Sequence, residues 1–267
     1  MPVISLLTDF GLRDGYVGVM KGVIWKICPG AEIADITHFI PPQDIRQGAL
    51  ALLRTVKYFP KGTVHIAVVD PGVGTDRKPM AADINGHFFV GPDNGLFSLI
   101  IQYAEQKGIT CRFITLDHPE FWLPDVSRVF HGRDIFAPVG AHLANGIPLE
   151  KMGTPLPNPV RLENPKPVLR GNTLQGEVIA IDNFGNLATN ITMNLLKGKT
   201  IKSVVVAGMS INGLAHTFGD APEGDLAAMI GTEEDLIVAV VQGSAAARLG
   251  IKTGEPIQVF FGAGDSA

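Results

Sequence analysis

Across residues 1–160, near-continuous apolar runs alternate with stretches whose apolar residues recur every three or four positions. Val3 to Leu7 reads as a buried strand, followed by the polar turn Thr8-Asp9-Phe10-Gly11. Asp14 can cap the next segment, where Val17, Met20, Ile24 and Ile27 recur at helical spacing until Pro29 stops it. Ala31 to Ile36 is strand-like again, and helical spacing returns from Asp44 through Ala49, Leu52, Leu53 and Val56. Val64 to Val69 is apolar almost throughout, as expected of a strand buried on both faces. Asn85-Gly86 between Met80–Ile84 and His87–Val90 signals a two-residue hairpin. Further helices are expected over Leu96–Tyr103 and Asp134–Leu143, the second holding Pro138 either in its first turn or at a kink.

Alternating strands and helices predict an α/β domain with a mainly parallel sheet. The pattern then breaks, with five prolines (155, 157, 159, 165 and 167) falling in a stretch of no periodicity. Beyond it, Leu174–Ile181, Ser203–Ala207, Leu226–Ile230, Leu236–Val241 and Pro256–Phe261 are short β-rich runs between Gly, Asp and Asn. The expected division is an α/β domain over 1–160, a linker over 161–171, and a smaller all-β, barrel-like domain over 172–267.

Composition narrows the function classes. Of 267 residues, 46% are hydrophobic and 18% charged, ample for a buried core and outside the disordered range. With 22 basic against 26 acidic residues and no basic run, a nucleic-acid surface is not expected. No apolar run approaches the roughly 18 residues of a membrane span, and no secretory signal opens the chain, so a cytoplasmic location is expected. Cys28 and Cys111 read as isolated buried thiols rather than a disulfide or a metal site.

In open α/β sheets, ligands gather beyond the carboxyl ends of the strands. The first strand delivers Asp9 there, and the third delivers Asp70 in Asp70-Pro71-Gly72-Val73-Gly74-Thr75. Arg77 follows closely enough for the loop to fold back onto Asp70, and His131 lies in Phe130-His131-Gly132-Arg133-Asp134. On spacing alone these stay open: Asp70 can equally be a turn former and His131 a structural histidine. A cation held by Asp9, Asp70, Asp93, His131 and Asp134 is the physical rival, though no close-spaced ligand pair appears. Neither a nucleophilic serine elbow nor a dinucleotide fingerprint is present. In the second domain, Asp182-Asn183-Phe184-Gly185-Asn186 offers a ring, amides and a carboxylate to a purine, or simply makes a turn.

Seven stretches in order, TDFGLRDGYVGVMKG (8–22), IPPQDIRQGA (40–49), VVDPGVGTDR (68–77), FVGPDNGL (89–96), FHGRDIFAPVGAHLA (130–144), DNFGNLATNI (182–191) and QGSAAARLG (242–250), resemble the S-adenosyl-L-methionine (SAM) hydrolases, also called SAM hydroxide adenosyltransferases. These are relatives of the SAM-dependent fluorinase and chlorinase. The resemblance implies hydrolysis of SAM at ribose C5′ to adenosine and L-methionine, with no metal and no cofactor. It also implies a homotrimer with sites at subunit interfaces. Asp70, Arg77 and His131 match the family's polar trio at the reacting carbon. Asp9 matches the carboxylate that holds the ribose hydroxyls, and Asp182 the group near the methionine ammonium. Phe184 and Asn186 match adenine contacts, while Thr232 and Gln242 fall near positions touching the methionine and adenine ends.

A sulfonium leaves as neutral methionine, so the chemistry asks mainly for a positioned water. A carboxylate engaged by a guanidinium is a weak base, which makes His131 the preferred proton acceptor over Asp70. Halogenase relatives carry a hydroxyl side chain at the position of Gly132, so its absence favours water over halide. Val241 and Asn183 depart from residues common in the family. A non-catalytic adenosine- or SAM-binding protein is the alternative; it would not need the trio.

Overall fold

The computed structural model describes residues 1–262, and the chain divides into two compact units, Met1–Glu163 and a second beginning at Asn164. Strands β1 (Val3–Thr8), β2 (Glu32–Thr37), β3 (Val64–Val68), β4 (Pro79–Ile84), β5 (His87–Pro92), β6 (Cys111–Thr115) and β7 (Thr154–Pro155) form the sheet of the first unit. Their order is β2-β1-β3-β5-β4-β6-β7. The sheet is mixed: β2, β1, β3 and β5 run parallel, and β4, β6 and β7 add an antiparallel half. The antiparallel half begins at the expected hairpin, where Asn85 (φ 56°) and Gly86 (φ 79°) both adopt the left-handed conformation that a two-residue turn requires.

Helices α1 (Tyr16–Ile27), α2 (Ile45–Thr55), α3 (Ser98–Gln106) and α4 (Ala137–Ala144) cover both faces. Met20 and Ile24 of α1 and Val139 of α4 pack with Ile4, Leu6, Ile66 and Val68 on one side. Leu52 of α2 and Ile100 of α3 pack with Leu7, Ala67 and Val69 on the other. Each fully buried Leu or Ile among them contributes about 1.5–3 kcal/mol. Strands sealed on both faces explain why the sequence reads as continuous apolar runs, and they leave only the strand ends free for chemistry.

Local caps divide between expectation and correction. Asp44 caps α2, its carboxylate accepting the Gln47 amide at 3.0 Å. Asp14 does not cap α1: Gly15 (φ 74°) precedes the helix without a side-chain cap. The helix expected over Asp134–Leu143 is two pieces. Gly132–Phe136 forms one π-helical turn, with the Ala137 N–H donating to the Gly132 carbonyl, and α4 starts after it. Pro138 brings no N–H to the Asp134 carbonyl, which instead accepts the Leu123 amide at 2.9 Å. Pro138 thus occupies the first turn of α4.

In the second unit, β8 (Val168–Arg170), β9 (Thr173–Ile181), β10 (Leu187–Thr192), β11 (Ile201–Val206), β12 (Met209–Asn212), β13 (Leu226–Ile230), β14 (Asp235–Val240) and β15 (Pro256–Phe261) are antiparallel. The path β12-β11-β15-β9-β10-β14-β13 brings β12 and β13 against each other, so the sheet is a nearly closed barrel. Two short helices, α5 (Met193–Leu196) and α6 (Ala245–Leu249), interrupt it. Residues 164–170 lie in the stretch expected as linker, yet Val168–Arg170 pairs with β9. Before the division, the Val160 amide donates to Asp93 and the Leu162 amide to Ser98, tying this segment to the first unit.

Candidate active site

The order β2-β1-β3 makes β1 a switch point, where connections leave in opposite directions and a crevice opens beyond the carboxyl ends. Asp9 follows β1 and Asp70 follows β3 at that end of the sheet. In the loop after β3, Gly74 (φ 77°) lies so close to the next loop that a Cβ there would sit 2.2 Å from the Arg128 carbonyl oxygen. Only glycine permits this approach, which holds the loop carrying Asp70 and Arg77 against the one leading to His131.

Arg77 is the centre of the cluster. Its Nε donates to Asp70 Oδ1 at 2.9 Å and Oδ2 at 3.1 Å, and its Nη2 donates to Oδ2 at 2.5 Å. The same Nη2 lies 2.8 Å from His131 Nδ1. A guanidinium has donors only, so Nδ1 is the acceptor and the neutral ring carries its proton on Nε2. The side chains of Asp70 and Arg77 are 4% and 9% exposed. Arg77 also lies over the Phe136 ring, 5.3 Å from its centroid. Burial, and next the Arg77 charge, hold the His131 pKa below its ordinary value against the opposing pull of Asp70 and Asp134. Arg77 Nη1 is buried and makes no hydrogen bond to the described residues.

The ring therefore offers no free lone pair while Arg77 holds it. In this arrangement His131 is less suited to take a proton than the sequence reading expected. Asp70 Oδ2 accepts from both Nε and Nη2, while Oδ1 accepts from Nε alone and keeps a lone pair free.

Asp134 is fully buried and serves the loop rather than a cation. It accepts the Ser127 amide at 2.8 Å and pairs with Arg133 Nε at 2.5 Å. Burial pushes its pKa up, but these partners outweigh that and hold it below the usual carboxylate range. Asp93 is occupied by the Val160 amide at 2.7 Å. Among the described residues, no group of three His, Cys, Asp or Glu could hold a metal ion. Asp9 accepts the Gln43 amide at 2.8 Å; Gln43 itself adopts φ 68°, a strained conformation for a non-glycine residue.

At Gly132 an added Cβ would meet Phe130, Met20 and Phe10 at 3.3–3.4 Å. The position that halogenases are expected to fill with a hydroxyl is here packed on apolar side chains. Phe10, Tyr16 and Phe130 meet edge-to-face around it, with centroids 5.2–6.1 Å apart.

In the second unit, Asp182 bonds to its own loop: Oδ1 accepts the Phe184 and Asn186 amides and Oδ2 the Asn186 side chain. Phe184 is held out, 76% exposed. A Cβ on Gly185 (φ 84°) would lie 1.9 Å from Ser244 Oγ, so the loop docks on the start of α6. Gln242 (φ 54°) is beside it in the turn after β14. Asp182, Phe184, Asn186 and Gln242 thus share one end of the barrel. Thr232 does not: it lies in the turn between β13 and β14, at the opposite end of β14.

Residues 4–153 match the SAM hydroxide adenosyltransferase N-terminal domain, and residues 176–258 match the C-terminal domain of the same name. This chain belongs to the SAM hydroxide adenosyltransferase family. A Thermus thermophilus protein named (R)-S-adenosyl-L-methionine hydrolase is 40% identical over 97% of this chain and all of its own length. A protein of the same name from Methanocaldococcus jannaschii is 38% identical over 80% of this chain and 76% of its own. A fluorinase from Actinoplanes is more distant, 30% identical over 71% of this chain and 72% of its own. The crystal structure of a conserved protein from Thermotoga maritima superposes with a TM-score of 0.89 at 38% identity, covering 96% of this chain and 99% of that one. In this chain the stretch QGSAAARLG is explained by α6: Ser244 caps it, accepting the Ala247 amide at 3.1 Å, and Gly250 (φ 65°) ends it.

Proposed function

We propose that this chain hydrolyses SAM to adenosine and L-methionine by attack of water at ribose C5′. The observation that carries the reading is Arg77 gathering both oxygens of Asp70 and Nδ1 of His131, with a buried Nη1 donor left over. A buried donor without an acceptor costs about 1–3 kcal/mol. A water oxygen accepting from Nη1 would remove that cost.

The step balances without help at the leaving group. Water oxygen bonds to C5′, the C5′–S bond breaks with its electron pair going to sulfur, and methionine leaves neutral. The water proton passes to Asp70. The residues supply position: a water held in line with the C5′–S bond at about 3 Å from carbon is where intramolecular-like rate gains arise. His131 acts by fixing Arg77. Asp9, turned by the Gln43 amide, holds the ribose hydroxyls, and the Asp182–Asn186 loop with Phe184 takes the adenine and methionine ends.

The relatives' shared name adds stereochemistry, and we extend it here: the substrate is the R epimer at sulfonium. The family's assembly, a homotrimer with sites at subunit interfaces, completes the reading. In its support, Leu12, Tyr16, Phe39 and Val129 are exposed near the loops that carry Asp9 and His131, and such apolar patches mark association surfaces. Chelator-treated protein incubated with each sulfonium epimer tests the reaction and its stereochemistry. Adenosine and methionine appearing together from the R epimer, with the S epimer left, is expected. Unchanged SAM would leave a binding protein, and S-adenosylhomocysteine a different reaction. Among the described residues, no helix is long and apolar enough to cross a membrane.

A further inference from the structure

Behind Asp9, on the side away from the Arg77 cluster, lies a buried polar chain for which the mechanism has no use. His38, immediately after β2, is 3% exposed. Its Nδ1 lies 2.9 Å from Thr8 Oγ1, at the end of β1, and Thr8 is fully buried. Its Nε2 faces Asp35 Oδ1 at 3.1 Å, at an angle short of a hydrogen bond. Asp35 Oδ2 in turn takes Lys21 Nζ of α1 at 2.6 Å. Burial pushes the Asp35 carboxyl up, but Lys21 and His38 together outweigh this and hold it below the usual range.

What these contacts enclose is the dipeptide Asp9-Phe10, which carries the carboxylate. On its N-terminal side, Thr8 Oγ1 accepts the Phe10 amide at 3.2 Å while meeting His38. On its C-terminal side, the Gly11 amide donates to the His38 carbonyl at 2.7 Å. His38 therefore grips the chain both before and after Asp9, by side chain and by backbone. The carboxylate itself accepts the amide of the strained Gln43, which sets its direction.

A hydrophobic residue would fill the space of His38 and keep the backbone contact, but it would leave the Thr8 hydroxyl buried without that partner. The chemistry is thus more specific than packing requires. Buried polar groups linked this way hold a single geometry because each loses its partner if the others move.

We propose that His38 is a positioning residue for the reaction, acting through Thr8 on the carboxylate of Asp9. The inference rests on the reading that Asp9 holds the ribose. A ribose tilted by a loose Asp9 moves C5′ off the line from the water to sulfur, and loss of such alignment lowers binding and turnover together.

Two series test this on the intact chain, with steady-state kinetics and a thermal melt for every variant. His38→Leu raises KM for SAM about tenfold, a shift of the size expected from one lost buried contact. His38→Asn places an amide near the Nδ1 position, restores the Thr8 contact and recovers most of the loss. Thr8→Val, which keeps shape and removes the hydroxyl, reproduces His38→Leu; Thr8→Ser does not. In an Asp9→Ala background, removal of His38 adds no further kinetic loss, because a residue acting through Asp9 has nothing left to act on. A merely structural His38 gives additive losses there, and that result overturns the proposal. So does a KM unchanged in both His38→Leu and Thr8→Val. If His38→Leu fails to fold, Thr8→Val against Thr8→Ser carries the same decision. Asp9→Ala that itself leaves KM untouched would instead sink the ribose reading on which the inference stands.

Discussion

Arg77 donates to a carboxylate and a neutral imidazole at once, and the roles proposed for both partners rest on that arrangement. Asp70→Asn removes the proposed proton acceptor and is expected to lower kcat by about 10²–10⁴-fold with a modest change in KM. His131→Asn, whose side-chain oxygen can still accept from Arg77, is expected to retain more activity than His131→Ala. Equal loss in the two variants would restore His131 as the base. The pH profile follows from the same bond. His131 is held below its ordinary value of about 6.5, so the neutral ring persists as pH falls through that value. The plateau of kcat/KM should extend below pH 6.5 and fall only at more acid pH; a decline centred at 6.5 or above would contradict it. Strand-end and turn positions raised Asp70, Arg77 and His131 as candidates, and the family resemblance singled them out as a trio. His38 escaped it, since its role depends on Thr8, thirty residues earlier in the chain and brought alongside only by the parallel pairing of β1 and β2. Thr232 was placed by resemblance, and the hairpin geometry of β13 and β14 puts it at the far end of the strand from Gln242.

At the scale of elements, the site is two loops pinned where they cross. Gly74→Ala forces a Cβ against the Arg128 carbonyl in a left-handed backbone, and should destabilise the chain by about 1–3 kcal/mol. Because the same loop carries Asp70 and Arg77, kcat should fall even where the variant is folded; denaturant melts paired with kinetics separate the two effects. Elements set by local chemistry were legible in the sequence: the Asn85-Gly86 hairpin, the Asp44 cap and the buried run of β3. Elements set by tertiary partners were not. The π-helical turn at Gly132–Phe136 depends on Leu123 satisfying the Asp134 carbonyl that Pro138 cannot, and nothing in the local period announces that exchange. The stretch DNFGNLATNI hides β10 behind a turn-like composition, and Gly15 rather than Asp14 opens α1 because the turn needs a positive φ.

Over the whole molecule, both a mixed α/β sheet and a separate barrel follow from the change of pattern near residue 160, though the boundary falls at Glu163 and the proline-rich stretch is tied down on both sides. Four histidines, His65, His87, His131 and His142, are held below their ordinary value, in each case first by burial, and His65 is pushed down to about 3. A histidine whose folded pKa is depressed binds more protons when unfolded, so its stabilising share is complete above about pH 6.5 and is lost as pH falls. The melting temperature should therefore drop steadily from pH 7 to pH 5, before the carboxylates titrate. A flat melting temperature over that range would mean these rings are more open to water than their packing indicates. The account as a whole stands on water attacking C5′. Hydrolysis of SAM in water enriched in the heavy oxygen isotope, with both products examined by mass spectrometry, tests this most directly. The account predicts one heavy oxygen in the 5′-hydroxyl of adenosine and none in methionine. Unlabelled adenosine, or methylthioadenosine in its place, would contradict it.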